Sequence, residues 1–447
     1  MSRDKIITAI DVGSSKIATV IASTGASEKV SVIGVSTTSS RGIKKGQVVD
    51  IDETVAAISE SVDAAERMAG VSIGSAFVCV GGAHIASQNS KGVVAVSTPE
   101  GEINDTDVSR VVEAAKAISM PSSREILHVI HRDFSVDGQE GIKDPIGMTG
   151  VRLEVETQIV TGASTAIRNL GKCINEVGID IESVVFSGLA SSQAVLSETE
   201  KELGVVLVDV GAGTTDVAIW VDGALSYSAV LPVGARNVTN DIAVGLRVGL
   251  DSAEKIKLFL SQKEKPQFAT TSDTPKPVDE MDLSHLSLPE EIKKISRKTL
   301  IDGIIKPRLL EIFTFIGLEI QKSGFGGMTP AGVVITGGGA QTIGTIEACR
   351  QRLAMPCRIG VPFGLPSTGN ETNGVVVTGL IDELCSAQSA TSVGLIIYGS
   401  KFDGVRVSRK MSTLSLPNLS GFGSIVSALP LKNILPKFKI FLKGFLP

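Results

Sequence analysis

Cysteine, histidine and unbroken apolar runs are scarce in this sequence, and each shortage closes off a class of function. The five cysteines, Cys79, Cys173, Cys349, Cys357 and Cys385, are odd in number and never form a Cys-x-x-Cys pair. Neither a zinc site nor a disulfide framework is indicated, and they read as buried thiols of a reducing cytosol. His84, His128, His131 and His285 have no ligand-like spacing and read as structural or surface residues. Nowhere do the roughly 18 apolar residues of a spanning helix follow one another. The apolar run before Asp11 is too short for a signal-peptide core, so a soluble, cytoplasmic protein is expected. A basic surplus is missing too: 43 Lys and Arg against 48 Asp and Glu leave a formal charge of −5, which argues against nucleic acid as a partner.

What is present is a globular composition, 43% hydrophobic and 20% charged, over 447 residues. Single cores stop growing near roughly 250–300 residues, so two or more lobes are expected. Residues 10–21 read IDVGSSKIATVI and residues 208–219 read VDVGAGTTDVAI. The spacing of the two copies is far too long for a solenoid and suggests two related halves facing each other. Short β-rich runs (IITAI, KIATVIA, VSVIGVS) give way to helical spacing through Val55, Ile58, Val62, Ala65 and Met68, which predicts mixed α/β. Residues from His84 to about Thr161 carry strands and a helix of their own, with Asp105 or Thr106 as its cap, and read as an inserted domain. Beyond them, Ile167, Leu170, Ile174 and Val177 share one helix face. In the second half SAEKIKLFL and RKTLIDGIIKPRLLEIFTFIGLEIQ read as helical, with a polar, proline-bearing loop at 262–290 between them. A Ser/Gly/Pro linker follows from about Gly399.

The chemistry lies in the repeated motif. A glycine turn between strands lets main-chain N–H groups converge on an oxyanion, and Ser or Thr hydroxyls add donors. An Asp at the strand end before such a turn is placed to hold Mg²⁺ beside phosphates through water. Asp11 and Asp209 both stand there, so two phosphate cradles would close on one phosphate chain, and VITGGGA at 334–340 would let a third backbone segment approach a nucleoside. Asp216 reads as a partner for its own turn's amides. Glu254 and Lys257, three apart on one helix face, are either a wall beside a nucleobase or a surface ion pair. At the far end Leu435, Phe438, Phe441, Leu442 and Phe445 recur at three- and four-residue steps with Lys437, Lys439 and Lys443 beside or opposite them. This pattern predicts a helix within 431–447 lying in a membrane surface, shortened by Pro436.

The order DVGSSK, VDVGAGTTD, TGGGA resembles the actin, Hsp70 and sugar-kinase ATPase superfamily. RGIKKGQVVDIDETVAAI, DGQEGIKDPIGMTGVRLEVE, LPVGARNVTNDIA, AEKIK and KTLIDGIIKPRLLEI, in that order, resemble the FtsA family of bacterial cell-division proteins. The resemblance implies an actin-like two-lobed ATPase fold: a first lobe at 1–83 and 163–202, an inserted subdomain at 84–162, a second lobe at 203–235 and 300–398 with a subdomain at 236–299, a linker at 399–430 and a C-terminal amphipathic membrane helix at 431–447. It implies ATP and Mg²⁺ as cofactors. Asp11, Gly13, Ser14 and Ser15 would form the first phosphate hairpin with Lys16 nearby, and Gly211, Gly213, Thr214 and Thr215 the second, with Asp209 before it. Gly337, Gly338 and Gly339 would contact the nucleoside, and Glu254 and Lys257 form the adenine wall. It also implies self-association into protofilaments, anionic membrane lipids at the division site on the cytoplasmic face, recruitment of later division proteins, and docking of the C-terminal peptide of the tubulin-like FtsZ near Arg297, Lys298 and Arg308. Two departures stand out. Ala212 replaces a common glycine, which requires negative φ there. GASTAIRN, after the insertion, lacks the Glu or Gln that orients water in hydrolysing relatives, while Gln158 sits in a strand-like run, so fast turnover is not implied. A sugar or acid kinase and an FtsA-like pilus-assembly component are the alternatives; the linker and basic tail favour the division protein.

Overall fold

The computed structural model describes residues 5–25, 29–97, 101–263, 279–290, 292, 294–362, 375, 377–380 and 384–402. Each half of the chain begins as a three-stranded meander and ends in parallel strands. In the first half β1 (Lys5–Val12) pairs antiparallel with β2 (Lys16–Thr24), and β2 with β3 (Val30–Ser39). The short strands β4 (Ile43–Lys44) and β5 (Gln47–Val48) and helix α1 (Ile51–Ala69) lead to β6 (Ser75–Val80), parallel to β1. The chain then leaves the sheet for β7 (Ala86–Ala95), α2 (Asp105–Lys116), β8 (Arg124–Val136), β9 (Gln139–Ile142) and β10 (Arg152–Ala163). It returns through α3 (Ser164–Glu176) to β11 (Asp180–Phe186), parallel to β6.

After α4 (Ser187–Val195) and α5 (Glu198–Leu203) the plan repeats with β12 (Val205–Val210), β13 (Thr215–Val221) and β14 (Ala224–Leu231). A helical excursion follows: α6 (Ala235–Leu246), α7 (Leu250–Lys263), the paired strands β15 (Glu280–Asp282) and β16 (Lys294–Ser296), α8 (Arg297–Leu300) and α9 (Lys306–Ser323). Then β17 (Val333–Thr336), α10 (Thr345–Leu353) and β18 (Cys357–Ile359) complete the second sheet. The order β3-β2-β1-β6-β11 in one sheet is thus matched by β14-β13-β12-β17-β18 in the other. Every residue of β12 and β13 is buried, which is why they read as continuous apolar runs rather than alternating ones. β19 (Val377–Gly379) crosses back to pair with β3, and α11 (Ala390–Lys401) closes the described chain.

α4 follows the first sheet yet packs on β12 and β13, while α11 follows the second sheet yet packs on β1 and β2. The sequence reading grouped α11 with the second half; its Val393, Leu395, Ile396 and Ile397 lie in a core shared by the first sheet, α4 and the α4-facing residues of β12 and β13. The expected linker start is also corrected. α11 runs through Gly399 to Lys401, and Gly399 is a packing residue whose Cβ would lie 2.7 Å from the Phe77 ring. Residues 403–447, and with them the predicted membrane helix, lie outside the described residues. Among the described residues no helix is long and apolar enough to cross a membrane.

Local differences have local causes. Helix α1 is capped by Asp50, which accepts from Glu53 N, and by left-handed Gly70, and buries Ile58, Val62 and Ala65 as expected. Met68 is 54% exposed instead and offers its sulfur to Val35 N–H. Helix α2 is capped by Asn104, not Asp105 or Thr106, because Asn104 has the extended backbone and Asp107 three residues on completes a reciprocal box. The 297–323 helix contains a π turn at Ile301–Ile305 ahead of Pro307, whose ring and missing N–H disrupt the regular ladder. Part of the loop expected at 262–290 is ordered: Glu280–Asp282 pairs with Lys294–Ser296. The insertion is a four-stranded sheet, β7-β10-β8-β9, with α2 and its own core of Ile103, Val111, Phe134, Leu153 and Val155. None of the five cysteines is in a disulfide; Cys79, Cys173 and Cys349 are buried, Cys357 and Cys385 half-buried.

The α4–α11 crossing has no spare room, since a Cβ on Gly394 would stand 1.8 Å from Ala190 O. Gly394→Val is expected to lower stability by about 2–3 kcal/mol through overpacking, measured as a fall in the urea unfolding midpoint.

Candidate functional site

The two repeated turns have the same geometry. Gly13 N donates to Lys16 O at 3.0 Å, and Gly211 N to Thr214 O at 2.9 Å. A Cβ on Gly13 would lie 2.9 Å from that carbonyl oxygen, and one on Gly211 3.0 Å from its counterpart, so both positions need glycine for room rather than for handedness. Ala212 is not among the positive-φ residues, so the departure from glycine carries no strain. The turn tips meet: a Cβ on Gly213 would stand 3.0 Å from Ser14 Oγ. The third glycine run closes against the end of β12. Gly337, at φ +82°, would place a Cβ 2.3 Å from Asp209 Oδ1, and Gly339 would strike Val210, whereas Gly338 is exposed with nothing nearer than 4.0 Å. Of the three expected nucleoside contacts, Gly338 alone faces open space.

Hydroxyls divide the same way. Ser14 Oγ accepts from Gly46 N at 2.9 Å and Ser15 is exposed. Thr215 is corrected: it is fully buried and its hydroxyl is committed to Val233 O at 2.8 Å, because as the first residue of β13 it points into the lobe.

At the base of the joint, Asp11 Oδ1 accepts from Cys79 Sγ at 2.8 Å. Asp209 accepts from Thr391 Oγ1 of α11 at 3.1 Å, with the Ser191 hydroxyl of α4 nearby but donating to Ser187 O at 3.0 Å. Asp216 stands opposite Asp209 in the β12–β13 register. It accepts from Ser187 Oγ at 2.9 Å, while its Oδ1 is buried without a hydrogen-bond partner. Asp216 therefore does not serve its own turn's amides, because strand pairing turns it toward α4. Burial pushes all three carboxyls upward. Asp209 rises to about 6, with the neighbouring Asp11 charge adding to the effect of burial. Lys16 is the cation between Asp11 and Asp209, held down by its burial. Its Nζ donates to Gln388 O at 2.8 Å, beside a cavity of about 200 Å³ shared with Val20, Thr37, Leu384 and Ser392.

This surplus of negative charge fits a divalent cation. Among the described residues no three His, Cys, Asp or Glu side chains form a ready ligand set. Sequence reasoning missed Cys79, Ser187, Ser191 and Thr391; only the small, hydroxyl-rich run SGLASS hinted at two of them.

Glu254 and Lys257 do form an ion pair, at 2.8 Å, with the lysine buried and the Glu254 side chain 43% exposed. Lys257 is 7% exposed, and Thr239 of α6 bonds to both. The same helix reaches the segment that follows the third glycine run, where Ser261 accepts from Ile343 N. Helix α6 itself starts on the second hairpin, Ala235 N and Arg236 N donating to Gly211 O and Ala212 O. Of the expected partner residues, Arg308 is tied to Asp241 by two hydrogen bonds and to Glu311. Arg297 is half-buried and Lys298 exposed. Gln158 is buried in β10 with neither amide atom hydrogen-bonded. Leu435, Lys437, Phe438, Lys439, Phe441, Leu442, Lys443 and Phe445 lie outside the described residues.

Because the folded pKa of Asp209 is raised, the native state holds its proton more tightly than the unfolded chain does. That contribution is complete below about pH 4 and is lost as pH rises through about 6. Asp209→Asn keeps an acceptor for Thr391 and is expected to stabilise the protein at pH 8 by about 1–3 kcal/mol, with the gain vanishing near pH 4, as read from denaturant unfolding in EDTA.

The comparisons agree with this architecture. The family model described as "SHS2 domain inserted in FTSA" matches residues 82–161, and that of "Cell division protein FtsA" matches residues 206–394. The cell division protein FtsA of Pseudomonas aeruginosa is 38% identical over 421 residues, covering 92% of this chain and 94% of that protein. The one from Escherichia coli K12 is 32% identical, covering 89% and 91%. Among solved structures, the PilM-PilN type IV pilus biogenesis complex is similar in fold, with a TM-score of 0.60 at 14% identity, covering 89% of this chain and 99% of that one. With its duplicated sheets, its inserted domain and relatives matched along nine-tenths of its length, the chain belongs to the FtsA family of actin-like cell-division proteins.

Proposed function

We propose that this protein binds ATP with Mg²⁺ in the joint between its two sheets, polymerises, and tethers the FtsZ ring to the cytoplasmic face of the membrane while recruiting later division proteins. The observation that carries the nucleotide reading is the meeting of the two mirrored turns, Ser14 against Gly213, over a buried set of carboxylates. Main-chain N–H groups at 14–15 and 212–214 would hold phosphate oxygens, with Gly13 and Gly211 closing the turns behind them, and Asp11 and Asp209 would hold the cation through its water shell. Gly338 leaves room for the nucleoside, and the Glu254–Lys257 pair stands at the purine side. The bound cation would neutralise phosphate charge between carboxylates that otherwise repel one another. With only Ser164 and Thr165 opening α3, ATP acts as a switch that favours the polymer rather than as a substrate for rapid turnover.

The tail supplies the membrane contact in this reading, its phenylalanines entering the lipid and its lysines meeting anionic headgroups. Four lysines contribute on the order of 4 kcal/mol near an anionic surface, so a single tail binds reversibly and a polymer of many tails holds firmly. The helix carrying Arg297, Lys298 and Arg308 offers its positive charge to the acidic FtsZ peptide, with Lys298 the exposed one of the three and Arg308 held by Asp241.

Gly338→Asp fits sterically and is expected to weaken ATP at least tenfold, about 1.4 kcal/mol, in calorimetry; unchanged affinity would sink the pocket assignment. Liposome co-sedimentation tests the rest. Phe438→Glu with Phe441→Glu is expected to release the protein from anionic vesicles with ATP binding intact, and persistent lipid binding would place the anchor elsewhere.

A further inference from the structure

We infer that Lys45 is a further phosphate-binding residue, carried to the clamp by the tight turn between β4 and β5. The inference rests on the nucleotide reading above and extends it to a chain segment outside both hairpins. The turn touches the tips of both. Gly46 N donates to Ser14 Oγ at 2.9 Å on the first, and the Lys45 Cα lies 3.2 Å from where a Gly213 Cβ would stand on the second. From behind, a Cβ on Gly46 would come within 2.7 Å of Gly81 O, so the turn is wedged rather than loosely laid over the site. Its base is fixed as well. Val49 N and Asp50 N both donate to Gly42 O, at 2.8 and 3.1 Å, and Asp50 caps α1.

The backbone at this turn is one that a lysine adopts against its preference. Lys45 has φ +50° and Gly46 φ +72°, the arrangement of a two-residue hairpin turn that suits Asn-Gly or Gly-Gly. A bulky residue held in the left-handed region is a mark of local strain of the kind found at functional sites. What Lys45 adds is charge. The joint holds Asp11, Asp209 and Asp216 at its base, and the ammonium of Lys16 is committed to Gln388 O on the α11 side. A polyphosphate at the tips brings further negative charge where the base offers none to balance it. Lys45 is exposed there and makes no hydrogen bond or ion pair with any described residue.

Lys45→Asn separates charge from conformation, because Asn suits the left-handed position. Calorimetric titration with MgATP is run on the wild type, Lys45→Asn, Lys45→Arg and Lys44→Met, with melting temperatures in the absence of nucleotide. The expected result is a tenfold or greater loss of ATP affinity in Lys45→Asn with an equal or higher melting temperature. Lys45→Arg should stay within about threefold and Lys44→Met within about twofold of the wild type. Lys45→Asn binding ATP as tightly as the wild type would overturn the assignment while leaving the nucleotide site in place; a wild type that does not bind ATP would overturn both.

Discussion

Three carboxylates, Asp209 and Asp216 buried and Asp11 half-buried, share one joint with a single ammonium, and much of the molecule is arranged around that fact. Burying unpaired charge is costly, and here the cost is met by groups from distant parts of the chain. Asp11 takes the thiol of Cys79, Asp209 takes the hydroxyl of Thr391 from α11, and Asp216 takes that of Ser187 from α4. Two of these helices, α4 and α11, are the ones that cross from one half to pack on the other. The hydrogen bonds that tame the site are therefore also bonds that hold the halves together. A ligand changing the charge in the joint would act directly on the elements that join the halves, which is the physical basis of the switch proposed above.

The internal duplication explains why this joint exists at all. Two copies of the same strand order place two Asp-Gly turns at equivalent sheet positions, and packing them face to face brings their tips into contact. Small residues make the approach possible. Gly13 and Gly211 clear their own turn carbonyls, Gly337 and Gly339 clear β12, and Gly394 clears the backbone of α4. The insertion stands apart in this respect. It has a sheet, a helix and a core of its own, and it meets the second half through polar contacts such as Arg132 with Ser226 and Ser87 with Ser228.

Division of labour along the chain follows from the same layout. The duplicated sheets supply the joint proposed for the nucleotide. The α6–α8 excursion supplies both the Glu254–Lys257 pair and the basic residues assigned to FtsZ. Pinning of Lys257 and Glu254 by Thr239, on a helix whose first amides bond to the second hairpin, gives these two assigned sites a common mechanical frame.

The sequence by itself determined the duplication, the insertion, the family and the identity of the turn residues, because those are written in local order: an apolar run, an Asp, a glycine turn, and the same again. It also determined which helices are amphipathic, since a 3.6-residue stripe is a local property. Only the tertiary structure decided which of those residues face the joint. Thr215 and Asp216 are neighbours in a motif, yet strand pairing buries the first against Val233 and turns the second to Ser187. Gly399 reads as a chain breaker until Phe77 is found against it, and Glu254–Lys257 stays ambiguous until Thr239 arrives from another helix. Cys79 and Thr391 carry no signal of their own, because their partners Asp11 and Asp209 lie 68 and 182 residues away and no local pattern encodes such contacts.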